Sequence, residues 1–256
     1  MCRLFGLIAN KEVDIRFSML EAGNNFKIQS ENNPHGWGIA YYKDSKPIVD
    51  KYGEIAFLSN RFNELAKEAK SSLFIVHIRY ATSGSSNSDK NAHPFVFKHW
   101  IFAHNGTINK ERILKLLKPD YNKNFTSEPI DSEIYFRYVI QCIEKSGNLK
   151  EGIKIAVKEV IQDSNGANFL LSDGEKIYAF RYGKNLLYYL LRDPALLNVV
   201  SEETKALIES KTLSKEKAIL ISTEKLTKSE PWEEIKNCVL LICDNSLKFE
   251  EKEICQ

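Results

Sequence analysis

Alternation of apolar and polar positions divides the chain into short strands in its first hundred residues and again in its second half, with helical periodicity concentrated between them. Leu4 to Ala9 reads as an apolar strand, so residue 2 stands at the mouth of a sheet. In Asn33-Pro34-His35-Gly36-Trp37-Gly38-Ile39-Ala40-Tyr41-Tyr42 a Pro/Gly turn feeds an alternating strand. Gly36 and Gly38 around Trp37 point either to a close backbone approach or to a bulge that packs the indole. Lys46 to Tyr52 continues as a partner strand, and Arg61 to Lys70 has the pattern of a short amphipathic helix. The unbroken run Leu73 to Val76 has the look of a central strand covered on both faces, and it delivers His77, Arg79 and Thr82 at its end. A loop carrying Asn91-Ala92-His93-Pro94-Phe95 precedes another strand, Trp100 to Ala103, which closes in His104-Asn105-Gly106-Thr107.

Helical signals follow at Asn109 to Leu117, at Asp131 to about Lys145 with Gly147 as a stop, and at Leu149 to Ile161. The second half returns to strands. Ala167 to Leu171 and Lys176 to Tyr182 form a hairpin around Asp173-Gly174, and Leu187 to Leu191, Ala218 to Ser222 and Cys238 to Cys243 supply more. Ser222-Thr223-Glu224 and Pro231-Trp232 suggest a second loop at the same rim. No linker, repeat or low-complexity stretch interrupts the 256 residues, so one domain is expected over residues 1–256.

Composition narrows the function. Hydrophobic residues at 43% and charged residues at 27% are ordinary for a globular protein. Lys plus Arg (36) nearly balance Asp plus Glu (34), which disfavours nucleic acid or an anionic membrane as partner. No apolar run reaches a membrane span and the N-terminus lacks a secretory pattern, so a cytoplasmic protein is expected. Cys2, Cys142, Cys238, Cys243 and Cys255 contain no CxxC pair, which reads as reduced thiols and not as a disulfide framework or zinc ribbon. The five histidines all fall in the first 104 residues, placing polar chemistry there.

Several positions have two readings. With the initiator methionine removed, Cys2 carries a thiol and a free α-amine on one carbon, a nucleophile with its own base; otherwise it is a small apolar residue heading a strand. Arg79 suits either a structural ion pair or a two-pronged grip on a carboxylate. Asn105-Gly106 is a turn dipeptide, or an amide beside an unhindered N–H that together make an oxyanion hole. Asp131 or Ser132 can cap a helix whose first turn Glu133 completes, and Asp131 is either that plain cap or a functional carboxylate. A metal site from His77, His93, His104 and Cys2 lacks ligand spacing, and no metal or other cofactor is expected.

Taken in order, Cys2, His77-Ile78-Arg79-Tyr80-Ala81-Thr82, Asn91-Ala92-His93-Pro94, Ala103-His104-Asn105-Gly106 and Asp131-Ser132-Glu133 resemble the class II glutamine amidotransferases of the N-terminal-nucleophile hydrolase superfamily. Pro34-His35-Gly36-Trp37-Gly38-Ile39-Ala40 and Ser222-Thr223-Glu224 near Pro231-Trp232 make the chain most similar to the stand-alone branch of that family, which also includes γ-glutamyl hydrolases of thiol metabolism. The resemblance implies an α+β fold, a four-layer αββα sandwich of two antiparallel sheets between helical layers. It implies Cys2 as nucleophile, Asn105 and Gly106 as oxyanion donors, and Arg79 and Asp131 as partners of the substrate's α-carboxylate and α-ammonium, with Thr82, His93 and Tyr80 shaping the pocket. Tyr80 stands where the family often has Trp. Glutamine or another γ-glutamyl small molecule is the implied substrate, with ammonia passed to a separate protein because no synthase domain is present. A γ-glutamyl peptide hydrolase and a noncatalytic glutamine-binding subunit are the competing readings.

Overall fold

The computed structural model describes residues 1–82, 86–123, 125, 128–193 and 217–255. In chain order, the first half of the molecule builds strands β1 (Arg3–Val13), β2 (Trp37–Lys43), β3 (Lys46–Tyr52), β4 (Ser71–Ile78), β5 (Phe95–Phe97) and β6 (Trp100–Thr107). It also holds helices α1 (Phe26–Gln29), α2 (Asn60–Glu68), α3 (Lys110–Leu116) and α4 (Pro119–Asn122). Then come α5 (Asp131–Ser146), α6 (Leu149–Val160), β7 (Gly166–Ser172), β8 (Lys176–Phe180), β9 (Tyr188–Arg192), β10 (Ala218–Ser222), β11 (Glu233–Glu234), β12 (Val239–Asp244) and β13 (Phe249–Glu253).

The strands form two sheets, ordered β11-β9-β10-β1-β4-β2-β3 and β13-β12-β8-β7-β6-β5, with antiparallel pairing throughout. Period-two alternation sends each strand's side chains to two different cores. On β1, Leu4 and Ile8 enter a core shared with Ile75, Ile101, Ala103, Leu170 and Ile177 from both sheets, so the sheets pack face to face. Phe5, Leu7 and Ala9 point the other way, into a core with Phe62 and Leu65 of α2. The far side of the second sheet is covered by α5 and α6, whose Ile134, Val139, Ile153 and Val157 pack with Phe102 and Phe169. The result is the four-layer αββα sandwich.

Gly147 ends α5 in the left-handed conformation that glycine adopts without cost, its N–H bonding the Ile143 carbonyl at 3.1 Å. Gly38 marks a close approach: a Cβ there would fall on the His93 carbonyl, 2.2 Å away, so only glycine lets the 91–94 loop lie on β2.

The structure corrects four sequence expectations. Asn105-Gly106 is not a turn, because β6 runs on through it, pairing Asn105 with Asn168 and Gly106 with Ala167. Asp131 and Ser132 do not cap α5: Ile130 is the cap residue, and the Asp131 carboxylate instead accepts the Ile108 N–H at 3.1 Å. The cysteines are not all reduced. Cys238 and Cys255 form a disulfide with Cα atoms 5.5 Å apart, because the β12–β13 register, Val239 opposite Glu253, brings the flanking residues together. Trp232 does not reach the rim; it packs in the outer core of the first sheet and donates to Thr227.

Candidate active site

The same alternation that builds the inter-sheet core carries polar groups to its rim. On β4, Leu73 and Ile75 face the opposing sheet, so His77 and then Arg79 continue that face. On β6, Ile101 and Ala103 do so, which assigns Asn105 to the inner side. β1 and β4 pair Arg3 with Ile78 and Leu4 with His77; one step further lie Cys2 and Arg79. Cys2 is held there by the backbone of Tyr80, whose N–H donates to Sγ at 3.2 Å while the thiol reaches the Tyr80 carbonyl at 3.4 Å. Thr223 fixes the start of β1 from the other side, accepting the Leu4 N–H at 3.2 Å and donating its own N–H to the Leu4 carbonyl at 3.1 Å.

The Asn105 Nδ2 donates to the Cys2 carbonyl at 2.9 Å, bridging the two sheets at this end. Its Oδ1 accepts from Asn185 Nδ2 at 3.2 Å. Asn168, buried on β7, secures that contact by donating to the Asn185 carbonyl at 2.9 Å and accepting the Tyr182 N–H at 2.7 Å. Gly106 is obligatory beside it, for a Cβ there would collide with the Gly166 carbonyl and lie 2.9 Å from His104 Nε2.

A cleft of about 300 Å³ opens over this junction, with Met1, Cys2, Tyr80, Thr82, Asn105 and Gly106 among its lining residues. Tyr80 is 42% exposed and its ring lies 5.1 Å from that of His35, which accepts the Ala81 N–H at 2.9 Å. Arg79 and Asp131 are both buried and both act on the Cys2 sulfur. Burial raises the thiol pKa most, the Tyr80 hydrogen bond, the terminal amine and Arg79 oppose that, and Asp131 adds to it. Burial lowers the His104 pKa, and Asp131 opposes that by favouring the charged form; the His104 Nδ1 is 2.9 Å from Ser132 Oγ.

His93 lies behind the cleft. It is 3% exposed, its ring 4.2 Å from that of His77 and 4.7 Å from that of Phe95. Burial, with Arg79 and His104 nearby, lowers His77 to about 3, and burial lowers His93 well below its ordinary value. These rings are neutral packing groups at neutral pH. Among the described residues no group of three or more His, Cys, Asp or Glu side chains is arranged to hold a metal ion.

Cys2, Tyr80, Thr82, Asn105 and Gly106 are thus brought to one cleft, with Arg79 and Asp131 buried within electrostatic reach of the sulfur. Asn168, Lys184 and Asn185 were not legible as site residues. The one local sign is the Tyr182-Gly183-Lys184-Asn185 stretch after a strand, which by itself reads only as a turn.

The sequence model for class-II glutamine amidotransferases matches residues 1–249. The chain belongs to that family. It is 34% identical to an uncharacterized protein of Methanocaldococcus jannaschii over 96% of this chain and 70% of that one. A Haemophilus influenzae protein whose name proposes glutamine amidotransferase activity is 28% identical over 98% of this chain and 87% of its own length. Solved structures bear out the family's fold. A glutamine aminotransferase class-II domain protein from Silicibacter pomeroyi superposes with a TM-score of 0.64 at 17% identity, covering 99% of this chain and 98% of that one. The B. subtilis glutamine phosphoribosylpyrophosphate amidotransferase gives 0.68 at 18% identity over 99% of this chain and 49% of its own.

Among the described residues no helix is long and apolar enough to cross a membrane.

Proposed function

We propose that this amidotransferase, acting as one domain over residues 1–256, hydrolyses the γ-amide of a γ-glutamyl compound through a thioester on Cys2, with glutamine the default substrate. The observation that carries the reading is the hydrogen bond from the Asn105 amide to the Cys2 carbonyl at the facing ends of two sheets, with Arg79 and Asp131 buried within electrostatic reach of the Cys2 sulfur. Opposite charges of that kind suit the zwitterionic head of an amino acid.

Once Met1 is removed, the Cys2 α-amine takes the thiol proton, and the sulfur attacks the γ-carbonyl. The Asn105 Nδ2 and Gly106 N–H stabilise the tetrahedral oxyanion, a role in which one donor is worth roughly 10²–10³ in rate. Collapse breaks the C–N bond, and the leaving nitrogen departs as ammonia with the proton held by the α-amine. Water then attacks the thioester, gives up its proton to the amine, and releases glutamate and the free thiol. Tyr80 and Thr82 line the wall of the pocket and His93 supports it from behind. The ammonia passes to a separate acceptor protein, and the reaction takes place in the cytoplasm.

The test is covalent labelling by the glutamine analogue DON together with glutamate release. DON should modify Cys2 alone, and Cys2→Ala should abolish turnover without loss of fold, with Cys2→Ser leaving a trace. Cys142 and Cys243 are buried in the cores and do not line the cleft, so neither competes. Wild-type turnover in Cys2→Ala, or DON on another cysteine, removes the nucleophile assignment.

A further inference from the structure

The stretch Pro34-His35-Gly36 before β2 lies outside the lining of the cleft, yet it is bonded to the segment that holds the nucleophile. Trp37, fully buried and paired with Ile78, fixes the register of β2 on β4. His35 and Gly36 therefore run alongside residues 79–81 past the ends of both strands. There the Arg79 N–H donates to the Gly36 carbonyl at 2.8 Å, the His35 N–H donates to the Arg79 carbonyl at 3.2 Å, and the Ala81 N–H donates to His35 Nδ1 at 2.9 Å.

Two peptide planes decide where the Cys2 sulfur sits. In the plane joining Arg79 to Tyr80, the N–H donates to Sγ at 3.2 Å while the carbonyl is held by the His35 N–H. In the plane joining Tyr80 to Ala81, the carbonyl meets the thiol at 3.4 Å while the N–H is held by the His35 imidazole. A trans peptide is rigid and points its C=O and N–H in opposite directions, so a grip on one end aims the other. His35 grips both planes from the side away from the sulfur, one with its backbone and one with its ring. The Ala81 bond needs a lone pair on Nδ1, which puts the ring hydrogen on Nε2. The ring also lies 5.1 Å from that of Tyr80, a contact that acts on the pocket wall and not on the sulfur.

We infer that His35 is a positioning residue for the nucleophile: its Nδ1 lone pair locks the Tyr80–Ala81 peptide and so holds the Cys2 thiol at the rim where the Asn105 amide lies. The inference rests on the hydrolysis through Cys2 proposed above. With the Ala81 N–H unheld, that peptide is free to rotate, its carbonyl leaves the thiol, and the sulfur samples positions off the line of attack. The backbone bonds of His35 and Gly36 to Arg79 survive a change of the side chain. The loss should therefore fall on kcat and spare KM.

The experiment separates the lone pair from the ring. His35→Asn keeps an acceptor at the δ position and loses the ring; His35→Phe keeps a ring and loses the acceptor, and His35→Leu is a second variant without an acceptor. Each, in Met1-processed form, is assayed with glutamine and inactivated with DON, with active sites counted from the labelling end point and folding followed by Tm. Per labelled site, His35→Phe and His35→Leu should lose about tenfold in kcat and in the maximal rate of inactivation by DON, at nearly constant KM, the size expected of one hydrogen bond that orients a reacting group. His35→Asn should stay within about threefold of wild type in both. A packing role gives the reverse order, with His35→Phe nearest to wild type and His35→Asn showing a lower Tm and fewer labelled sites at unchanged kcat per site. That order, equal kcat in all the variants, or a rise in KM at constant kcat overturns the positioning role. If wild type turns over glutamine and DON labels its Cys2 while the variants do not separate, only this role falls; if wild type does neither, the hydrolase reading falls and takes the role with it.

Discussion

The Asn185 side chain donates to Asn105 Oδ1 at 3.2 Å and thereby decides which end of the Asn105 amide faces the cleft. An amide flips readily when both its ends are free, and a flipped Asn105 would present an oxygen to a developing oxyanion. Holding Oδ1 aims Nδ2 at the rim, where it meets Cys2.

Asn185→Ala should therefore lower kcat by about tenfold with little change in KM, a smaller loss than the hundredfold or more expected for Asn105→Ala. Asn185→Asp should be worse than Ala, because a carboxylate facing Oδ1 favours the flipped amide. Steady-state kinetics on the three variants checks the order. A rise in KM at constant kcat would show that Asn185 binds substrate and does not position Asn105.

Arg79 and Asp131 should separate from the oxyanion residues in the same assay. Arg79→Lys keeps the charge and loses the fork, so KM for glutamine should rise by about tenfold or more while kcat falls much less. Asp131→Asn should behave alike, and since an amide oxygen can still accept the Ile108 N–H, the start of α5 should survive the change. A collapse of kcat at unchanged KM in either variant would place these groups on the chemistry and not on the amino-acid head.

The adjacent, buried His77 and His93 rings give a prediction for stability. In the folded protein His77 titrates at about 3, with His93 also well below its ordinary value, whereas in the unfolded chain both return to near 6.5. Between these values the unfolded chain binds more protons, so stability rises with pH through the window from about 3 to 6.5 and is lost as pH falls. Each ring contributes a slope of up to ~1.4 kcal/mol per pH unit. Urea unfolding between pH 5 and 6.5, above most carboxylate titrations, should show this slope, and His93→Gln should reduce it, the buried His77 and His104 supplying the remainder. A flat wild-type profile there would mean that the rings take up protons while folded.

The strands that carry this site were legible as the apolar runs Leu4 to Ala9 and Leu73 to Val76, and its residues through the family resemblance. Which face each takes was not legible in unbroken apolar runs: in the structure Leu73 and Ile75 set the face that Arg79 shares, and Leu4 and Ile8 the face that Cys2 shares. What stayed hidden depended on partners distant in sequence. Asn105-Gly106 has turn chemistry locally, and only the Gly166 backbone against Gly106 shows why the pair sits in a strand. Asn185 acquires its role from Asn168 and Asn105, 17 and 80 positions away. Cys238 and Cys255 look unrelated until the β12–β13 hairpin closes between them. Helix capping failed at Asp131 for a similar reason: the carboxylate serves a backbone group on the preceding segment and not its own first turn.

Met1 is where mechanism and covalent structure meet. It lines the cleft, and with it attached the Cys2 nitrogen is an amide that cannot serve as a base near neutral pH. A homogeneous sample that retains Met1 should be inactive, and treatment with methionine aminopeptidase should restore turnover in proportion to the fraction of chains that lose one methionine by intact mass. In the processed protein the α-amine must be unprotonated to act, so kcat/KM should fall as pH drops through its pKa, from a reference value of about 8. His77 is already neutral throughout this range and should leave the limb where it is when replaced by Gln. Full activity in the Met1-retaining sample would exclude the α-amine as the base, since no deprotonation of an amide nitrogen near neutral pH can take its place.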